Sequence, residues 1–411
     1  MNILLINHYA GSPEMGMEYR PYYLAQQWIK LGHEVTIIAS TESHIRKKNP
    51  IIQYDFQEEM IDGIRYVWVQ TPKYDGNGKK RAWNMIRFTM KLWFNALRIS
   101  QTYNPNVVIA SSTYTTDNYA ALKIAKISKA QYYYEVHDLW PLSPIELGGM
   151  SPSHPFIKLM QAGENYAYKY CDKVISMLPH TQEHMKAHGL DLKKWNYVPN
   201  GICLQEWGSS EAIPEEINTE IQEKKSQGKK LIAYAGTLGL ANALDTLIES
   251  AKLVGNKDAF FMIFGIGPEE ENLKKLIKQD GLQNVKLMGS VPKTVIPTLL
   301  SEMDILYIGL QRQSLFRFGI SPNKLIDYMM SSKPIIQSID AGNDMVSEAK
   351  CGISVEPENA KAVANAVDQL LQKNDAELQK MGKNGHQFVM QHHTYQKLAE
   401  QFLEIMSSDS N

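Results

Sequence analysis

Short apolar runs alternate with amphipathic stretches of helical length along this chain, and the whole alternation is played out twice. That rhythm restricts the fold severely. A strand covered on both faces reads as a continuous apolar run, and parallel neighbours need a helical crossover between them. In the first series the expected strands are Ile3–Asn7, Val35–Ala39, Val107–Ala110, Tyr132–Val136 and Val174–Met177. A helix from about Glu18 to Leu31 follows the first of them and ends at Gly32, a residue suited to a left-handed cap. The second series restarts at Leu231–Ala235 and continues through Phe260–Phe264, Val285–Met288, Ile305–Ile308, Pro334–Gln337 and Ile353–Val355. The chain has 411 residues, too many for one ordinary core and enough for two domains of about 200 residues each. The expected fold class is therefore α/β, with two Rossmann-like parallel-sheet domains. The connection between them falls at about Gly201 to Gly228, after Val198-Pro199-Asn200-Gly201. The divisions are 1–203, 204–390 and 391–411, the last holding a helix (about Tyr395 to Met406) that is free to return to the N-terminal domain. In doubly wound domains ligands sit outside the carboxyl ends of the strands, so the site is expected there, in the cleft between the domains.

Composition excludes several function classes. Hydrophobic residues at 44% and charged residues at 21% describe a globular chain. A net charge of -1 lacks the footprint of a nucleic-acid binder, so no nucleic-acid partner is expected. Cys171, Cys203 and Cys351 are odd in number and far apart, in neither disulfide nor zinc spacing, which fits a reducing compartment. The chain opens directly on a strand, without the pattern of a signal peptide, and contains no uninterrupted apolar span of about 20 residues. A cytoplasmic protein, soluble or peripheral on the inner face of the membrane, is expected.

The loops carry the chemistry. His8-Tyr9-Ala10-Gly11-Ser12-Pro13-Glu14-Met15-Gly16 joins the first strand to a helix N-terminus, where free N–H groups favour an anion or a polar sugar. It has neither the Lys-Ser/Thr pair of a P-loop nor dinucleotide glycine spacing; Gly11, Gly16 and Glu18 are its candidates for sugar or acceptor contact. In the second series three strand ends open into glycine-containing loops on one sheet edge, marked by Gly236 and Thr237, by Gly265 and Gly267, and by Ser290 and Val291. That repetition describes a nucleotide site built from backbone amides. His180, His184 and His188 stand four residues apart, but the residues between them are those of a solvated helix face, and no metal site is read there. In residues 79–98 basic side chains are interleaved with Trp, Phe, Met and Leu. The segment suits a helix on an anionic lipid surface or a core helix with a basic outer face. Both hold if Trp83, Ile86 and Met90 face inward and the basic residues face the headgroups.

Read together, Leu31-Gly32-His33-Glu34-Val35-Thr36, His137-Asp138, Val198-Pro199-Asn200-Gly201, Phe264-Gly265-Ile266-Gly267-Pro268-Glu269, Gly289-Ser290-Val291-Pro292 and Gly319–Met329 form an ordered set. In that set the chain resembles glycosyltransferase family 4, the retaining enzymes of GT-B architecture, over essentially its whole length. Glu135–Pro141 and Ser321-Pro322-Asn323-Lys324 resemble the branch that builds bacterial surface polysaccharides, amino-sugar transferases included.

The resemblance implies an N-terminal acceptor-binding domain and a C-terminal nucleotide-sugar domain. It implies transfer of a sugar, such as an N-acetylated amino sugar, from a nucleoside diphosphate donor, usually UDP-linked, to a lipid-linked saccharide. Configuration is retained, and neither metal nor cofactor is required. It places His137 at the catalytic centre, with Asp138 orienting it or capping the next turn. Where the family carries two glutamates, this chain has Gly319 and Asp327; the second acid holds the ribose. The family's arginine and lysine in the loop Gly236–Asn242 are absent. Lys324 and Arg317, assisted by the amides of Ile320 and Ser321, are expected to supply the missing clamp. Two other readings stay open. A GT-B sugar-nucleotide epimerase would need cleft carboxylates, which the loss at Gly319 weakens. A non-catalytic sugar-nucleotide-binding partner of a polysaccharide assembly complex is favoured by the altered acidic pair and the missing clamp.

Overall fold

A computed structural model describes residues 1–16, 19–76 and 78–407. Glu18, and with it the start of the first expected helix, lies outside the described residues. The chain forms two compact units, one of Met1–Asn200 with the chain from Tyr395 onward, the other of Gly201–Thr394.

The first unit is built on an eight-stranded sheet, ordered β3-β4-β2-β1-β5-β6-β7-β8. Its strands are β1 Asn2–Ile6, β2 Glu34–Ser40, β3 Gln57–Ile61, β4 Ile64–Val69, β5 Val107–Ala110, β6 Gln131–Val136, β7 Lys173–Ser176 and β8 Trp195–Tyr197. Among the described residues only the β3–β4 pair of this sheet is antiparallel. Asp62 and Gly63, both at positive φ, make the turn between these two, which is the tight geometry that an Asp-Gly pair favours. The strand order reverses between β1 and β5, which places a topological switch point at their carboxyl ends. The helix Tyr19–Lys30 packs against the last helix, Tyr395–Ser407, through Trp28. The Trp28 indole N–H donates to the Ala399 carbonyl at 3.2 Å, and its ring meets Phe402 edge-on.

The basic and aromatic segment divides at Asn95 into helices Lys79–Phe94 and Ala96–Tyr103. The buried face is Asn84, Met85, Phe88 and Leu92, continued by Ala96 and Ile99. The expected inward face is thereby corrected. Trp83 and Met90 stand exposed, a third of a turn or more away from the Met85/Phe88/Leu92 stripe that covers the sheet. They join Trp93, Phe94 and Leu97 in an exposed apolar surface. No helix among the described residues is long and apolar enough to cross a membrane.

The second unit carries a six-stranded, wholly parallel sheet, ordered β11-β10-β9-β12-β13-β14. Its strands are β9 Lys230–Ala235, β10 Ala259–Phe264, β11 Val285–Gly289, β12 Ile305–Gly309, β13 Ile335–Ser338 and β14 Gly352–Val355. Apolar clusters cover both faces, one around Met262, Leu306 and Met329 and the other around Phe261, Tyr307 and Val367. Burial on both sides explains why these strands read as continuous apolar runs. The order reverses at β9, so the switch point lies between the ends of β9 and β12.

Candidate active site

At the switch point of the second unit, the loops after β9 and β10 are stacked so closely that two positions must be glycine. A Cβ on Gly265, at φ +146, would run into the Gly236 carbonyl oxygen, and one on Gly267 into that of Leu238. The amides are largely spent in this stacking. Gly236 N–H donates to Phe264 O at 2.9 Å, Leu238 N–H to Ile266 O at 3.0 Å and Gly265 N–H to Gly289 O at 2.7 Å. The expectation of a site made from the amides of Gly236 and Gly265 is therefore corrected. Their N–H groups extend the ladder beyond the strand ends and hold the loops together. Thr237 and Ser290 are exposed, and Val291 is half-buried against the core.

What Gly236 leaves room for is a side chain. A Cβ there would lie 2.5 Å from Lys324 Cε and 2.7 Å from Nζ. Lys324, in the first turn of the helix Asn323–Met330, donates to Tyr234 Oη at 2.6 Å and to Asn242 Oδ1 at 3.0 Å. Its ammonium sits 4.2 Å from the centre of the Tyr234 ring. Burial draws the Lys324 pKa down to about 7. No carboxylate among the described residues forms an ion pair with it, so an amine held by dipoles and a ring face, cationic below about pH 7, stands at the strand ends. One helical turn on, burial pushes the Asp327 carboxyl up to about 7, opposed by the charge of Lys293. The carboxylate of Asp327 has no hydrogen-bond partner among the described residues, leaving its lone pairs for a ligand's hydroxyls.

The other expected clamp residues are placed differently. Arg317 is exposed; it donates to Ser314 O at 2.6 Å and its guanidinium lies 4.3 Å from the Phe318 ring centre. The Ile320 amide is taken by Asn343 Oδ1 at 2.7 Å, a second correction, because the helix begins only at Asn323 and Ile320 belongs to the turn before it. Ser321 lies in the same turn, half-buried. Gly319 adopts φ +95 and ψ 172, backbone that only glycine enters without strain. The glutamate that the resemblance leads one to expect at this position would therefore meet backbone strain. Gly319→Glu is expected to lower stability by about 1–3 kcal/mol, measured by denaturant unfolding, and not to improve nucleotide binding.

The first unit gathers a buried polar network at its own switch point. Glu135, near the end of β6, accepts from Arg20 Nε at 2.9 Å and from Ser111 Oγ at 2.6 Å. His137 Nε2 lies 3.0 Å from Ser111 Oγ and 3.3 Å from Glu135 Oε2. Arg20 also donates to the carbonyls of Pro199 and, at 2.9 Å, Val198. Burial by itself would push the Glu135 carboxyl up; Arg20, with His137 and Ser111, overturns this and holds it well below the usual carboxylate range. His137 is thus oriented by an ionised, buried glutamate. Among the described residues Asp138, next in the chain, makes no hydrogen bond to the imidazole and caps no helix, though the charge of His137 acts on its carboxyl; the hydrogen bonds that orient His137 come from Glu135 and Ser111. Gly11 and Gly16 are buried in the loop after β1: the Gly11 carbonyl accepts from Tyr66 Oη at 2.7 Å, and Gly16, at φ +66, packs on Lys47. Sequence reasoning missed Arg20, Ser111, Tyr234, Asn242 and Lys293 as members of these networks. An arginine between Tyr19 and Pro21 in a helix facing the core was the one available signal.

Comparison with known proteins agrees with these two units. The family model described as Glycosyl transferases group 1 matches residues 216–388, and that described as Glycosyltransferase Family 4 matches residues 15–206. The chain is similar to a probable glycosyltransferase, WbjE, of Pseudomonas aeruginosa, 21% identical over 57% of this chain and 58% of that one. The matched stretch therefore spans less than two thirds of that relative. It is also similar to the putative colanic acid biosynthesis glycosyl transferase WcaI of Escherichia coli K12, 21% identical over 84% of this chain and 86% of that one. Among solved structures, Anabaena HepE in complex with UDP superposes with a TM-score of 0.67 at 14% identity, covering 99% of this chain and 100% of that one.

Proposed function

We propose, from the premise that this chain belongs to the glycosyltransferases of group 1 and Family 4, that it moves a sugar from a nucleoside diphosphate donor to a saccharide acceptor. The observation that carries this reading is the Lys324–Asp327 pair, one turn apart at the strand ends of the second unit. Lys324 meets the charge that grows on the departing diphosphate, and Asp327 accepts from the ribose hydroxyls. The complex of HepE with UDP favours a UDP-linked donor. His137, fixed by Glu135, contacts the sugar being transferred. Retention, with attack on the face from which the diphosphate leaves, is carried over from the resemblance to retaining GT-B enzymes, and protein groups that neutralise the leaving diphosphate take the place of a metal. The relation to a colanic acid biosynthesis protein favours a bacterial surface polysaccharide as the product, and the resemblance of Ser321-Pro322-Asn323-Lys324 to the amino-sugar transferase branch keeps an amino sugar among the candidate donors.

The acceptor is lipid-linked. Support comes from the exposed Trp83, Met90, Trp93, Phe94 and Leu97 beside Lys79, Lys80, Arg87 and Arg98, a surface that matches anionic lipid in both polarity and charge. Flotation with anionic vesicles at low salt is expected to carry the protein upward. Trp93→Ser with Phe94→Ser should leave it at the bottom, and equal flotation of this variant would remove the membrane role.

Incubation with a panel of nucleotide sugars and membrane lipid extract tests the reaction. Release of the nucleoside diphosphate together with labelled glycolipid is expected. Interconversion of donors without release would identify an epimerase, and binding without turnover a non-catalytic partner.

A further inference from the structure

We propose that Glu164, His184 and His188 form a site for one zinc-class divalent cation in the first unit. It rests on a cluster that the pattern of histidines alone does not reveal. His184 and His188 belong to the helix Gln182–Ala187 and its C-terminal cap. Instead of lying on a solvated face, both turn toward Glu164 on the helix Pro155–Tyr170, while His180 is exposed and takes no part.

The ligand atoms of the three groups lie within 4.8 Å of one another. His184 Nε2 stands 3.1 Å from Glu164 Oε1. Ligand atoms bound tetrahedrally at about 2.0–2.1 Å are separated by about 3.3 Å, so this edge already has the required length. Two further facts point to a cation. First, the Glu164 side chain is 1% exposed, and no lysine or arginine among the described residues pairs with it. A buried carboxylate without lysine or arginine is costly unless a neighbouring group carries positive charge. Second, the acceptors outnumber the donors. Gln161 Nε2 lies 2.6 Å from Glu164 Oε2, 2.8 Å from Asn165 Oδ1 and 2.9 Å from His188 Nδ1, and an amide has two hydrogens for these three. If His188 Nδ1 carries a proton instead, it can serve Asn165 at 3.2 Å, but it then faces the Gln161 N–H groups. In either arrangement one group of this set is left for a ligand or water.

Tyr168 donates to Glu164 Oε1 at 2.9 Å, which together with Gln161 fixes the carboxylate. Asn165 Oδ1 or water completes the coordination. Two imidazoles and one carboxylate select Zn2+, Co2+ or Ni2+ over Mg2+ and Ca2+. The bound ion would pin the two helices that flank β7, and this role is independent of the transfer reaction proposed above.

The test is calorimetric titration of the untagged, chelator-treated full chain with Zn2+, supported by the visible absorption of Co2+ as a report on coordination. One equivalent of Zn2+ should bind saturably, raise the melting temperature and give intense tetrahedral Co2+ bands. His184→Gln with His188→Gln should abolish all three. Absence of a one-equivalent event in the wild-type protein, its survival in the double variant, or equal affinity for Mg2+ would overturn the assignment.

Discussion

Replacing Lys324 by alanine should weaken binding of a nucleoside diphosphate such as UDP by about 10- to 150-fold, the usual weight of hydrogen bonds to a charged group. The fold should not suffer, since Lys324 is held by neutral partners and its charge is disfavoured by burial. The sign of the stability effect follows from the depressed pKa. Between pH about 7 and the lysine's ordinary value of 10.5 the unfolded chain binds the extra proton, so stability falls as pH drops across that window and this group causes no further loss below about 7. Removing the amine therefore relieves a penalty that is largest below pH 7. Binding has its own pH dependence. At pH 8 the free lysine is mostly neutral, and an arriving diphosphate must restore its proton. Calorimetry in buffers of different ionisation enthalpy should record uptake approaching one proton in the wild-type chain and none in Lys324→Ala. Asp327, raised to about 7 by burial, shapes the opposite limb, because its carboxyl is protonated below that value and is then a poorer acceptor for ribose hydroxyls. Affinity should thus peak near pH 7. Asp327→Asn should flatten the acid limb and Lys324→Ala the alkaline one.

The second large effect is on stability. Arg20→Ala should destabilise the first unit by about 3–5 kcal/mol, because it strands the Glu135 carboxylate, fully buried, without its cation. It also removes donors from the Val198 and Pro199 carbonyls, and so loosens the chain just before it leaves this unit. Denaturant unfolding followed by tryptophan fluorescence measures the loss. Arg20→Met combined with Glu135→Gln should cost clearly less than the sum of the single changes, since the double variant leaves no buried charge unpaired. A fully additive result would mean that the two side chains do not act as a pair.

Much of the fold was legible because both sheets are buried on two faces. Phe260–Phe264 and Ile305–Ile308 could be read as strands from apolar content alone, and each lies within an observed strand. The edge of the first sheet was not. In β3, Gln57-Glu58-Glu59-Met60-Ile61, a largely exposed strand gives no apolar signal, although Asp62-Gly63 was a readable hairpin turn. Strand β8 is too short to stand out. Lys324 and Asp327 could be singled out from their place after the Gly319 turn. Their surroundings could not, because Tyr234, Asn242 and Lys293 come from other loops and meet them only in three dimensions. For the same reason glycines at 236 and 265 suggested open amides, when their role is close approach of one loop and one lysine. The helix after Lys79 shows a further limit of periodicity. Met85/Phe88/Leu92 and Trp83/Met90 are both apolar stripes, and only the position of the sheet decides which of them is covered.

The central claim is that strand ends in the second unit grip a nucleoside diphosphate through Lys324 and Asp327. Amide hydrogen exchange of the full chain with and without saturating UDP tests it most directly. The account predicts protection concentrated in peptides covering Gly236–Asn242 and Gly319–Asp327, and its loss in Lys324→Ala at the same UDP concentration. Protection confined to other strand ends, or unchanged protection in that variant, would contradict it.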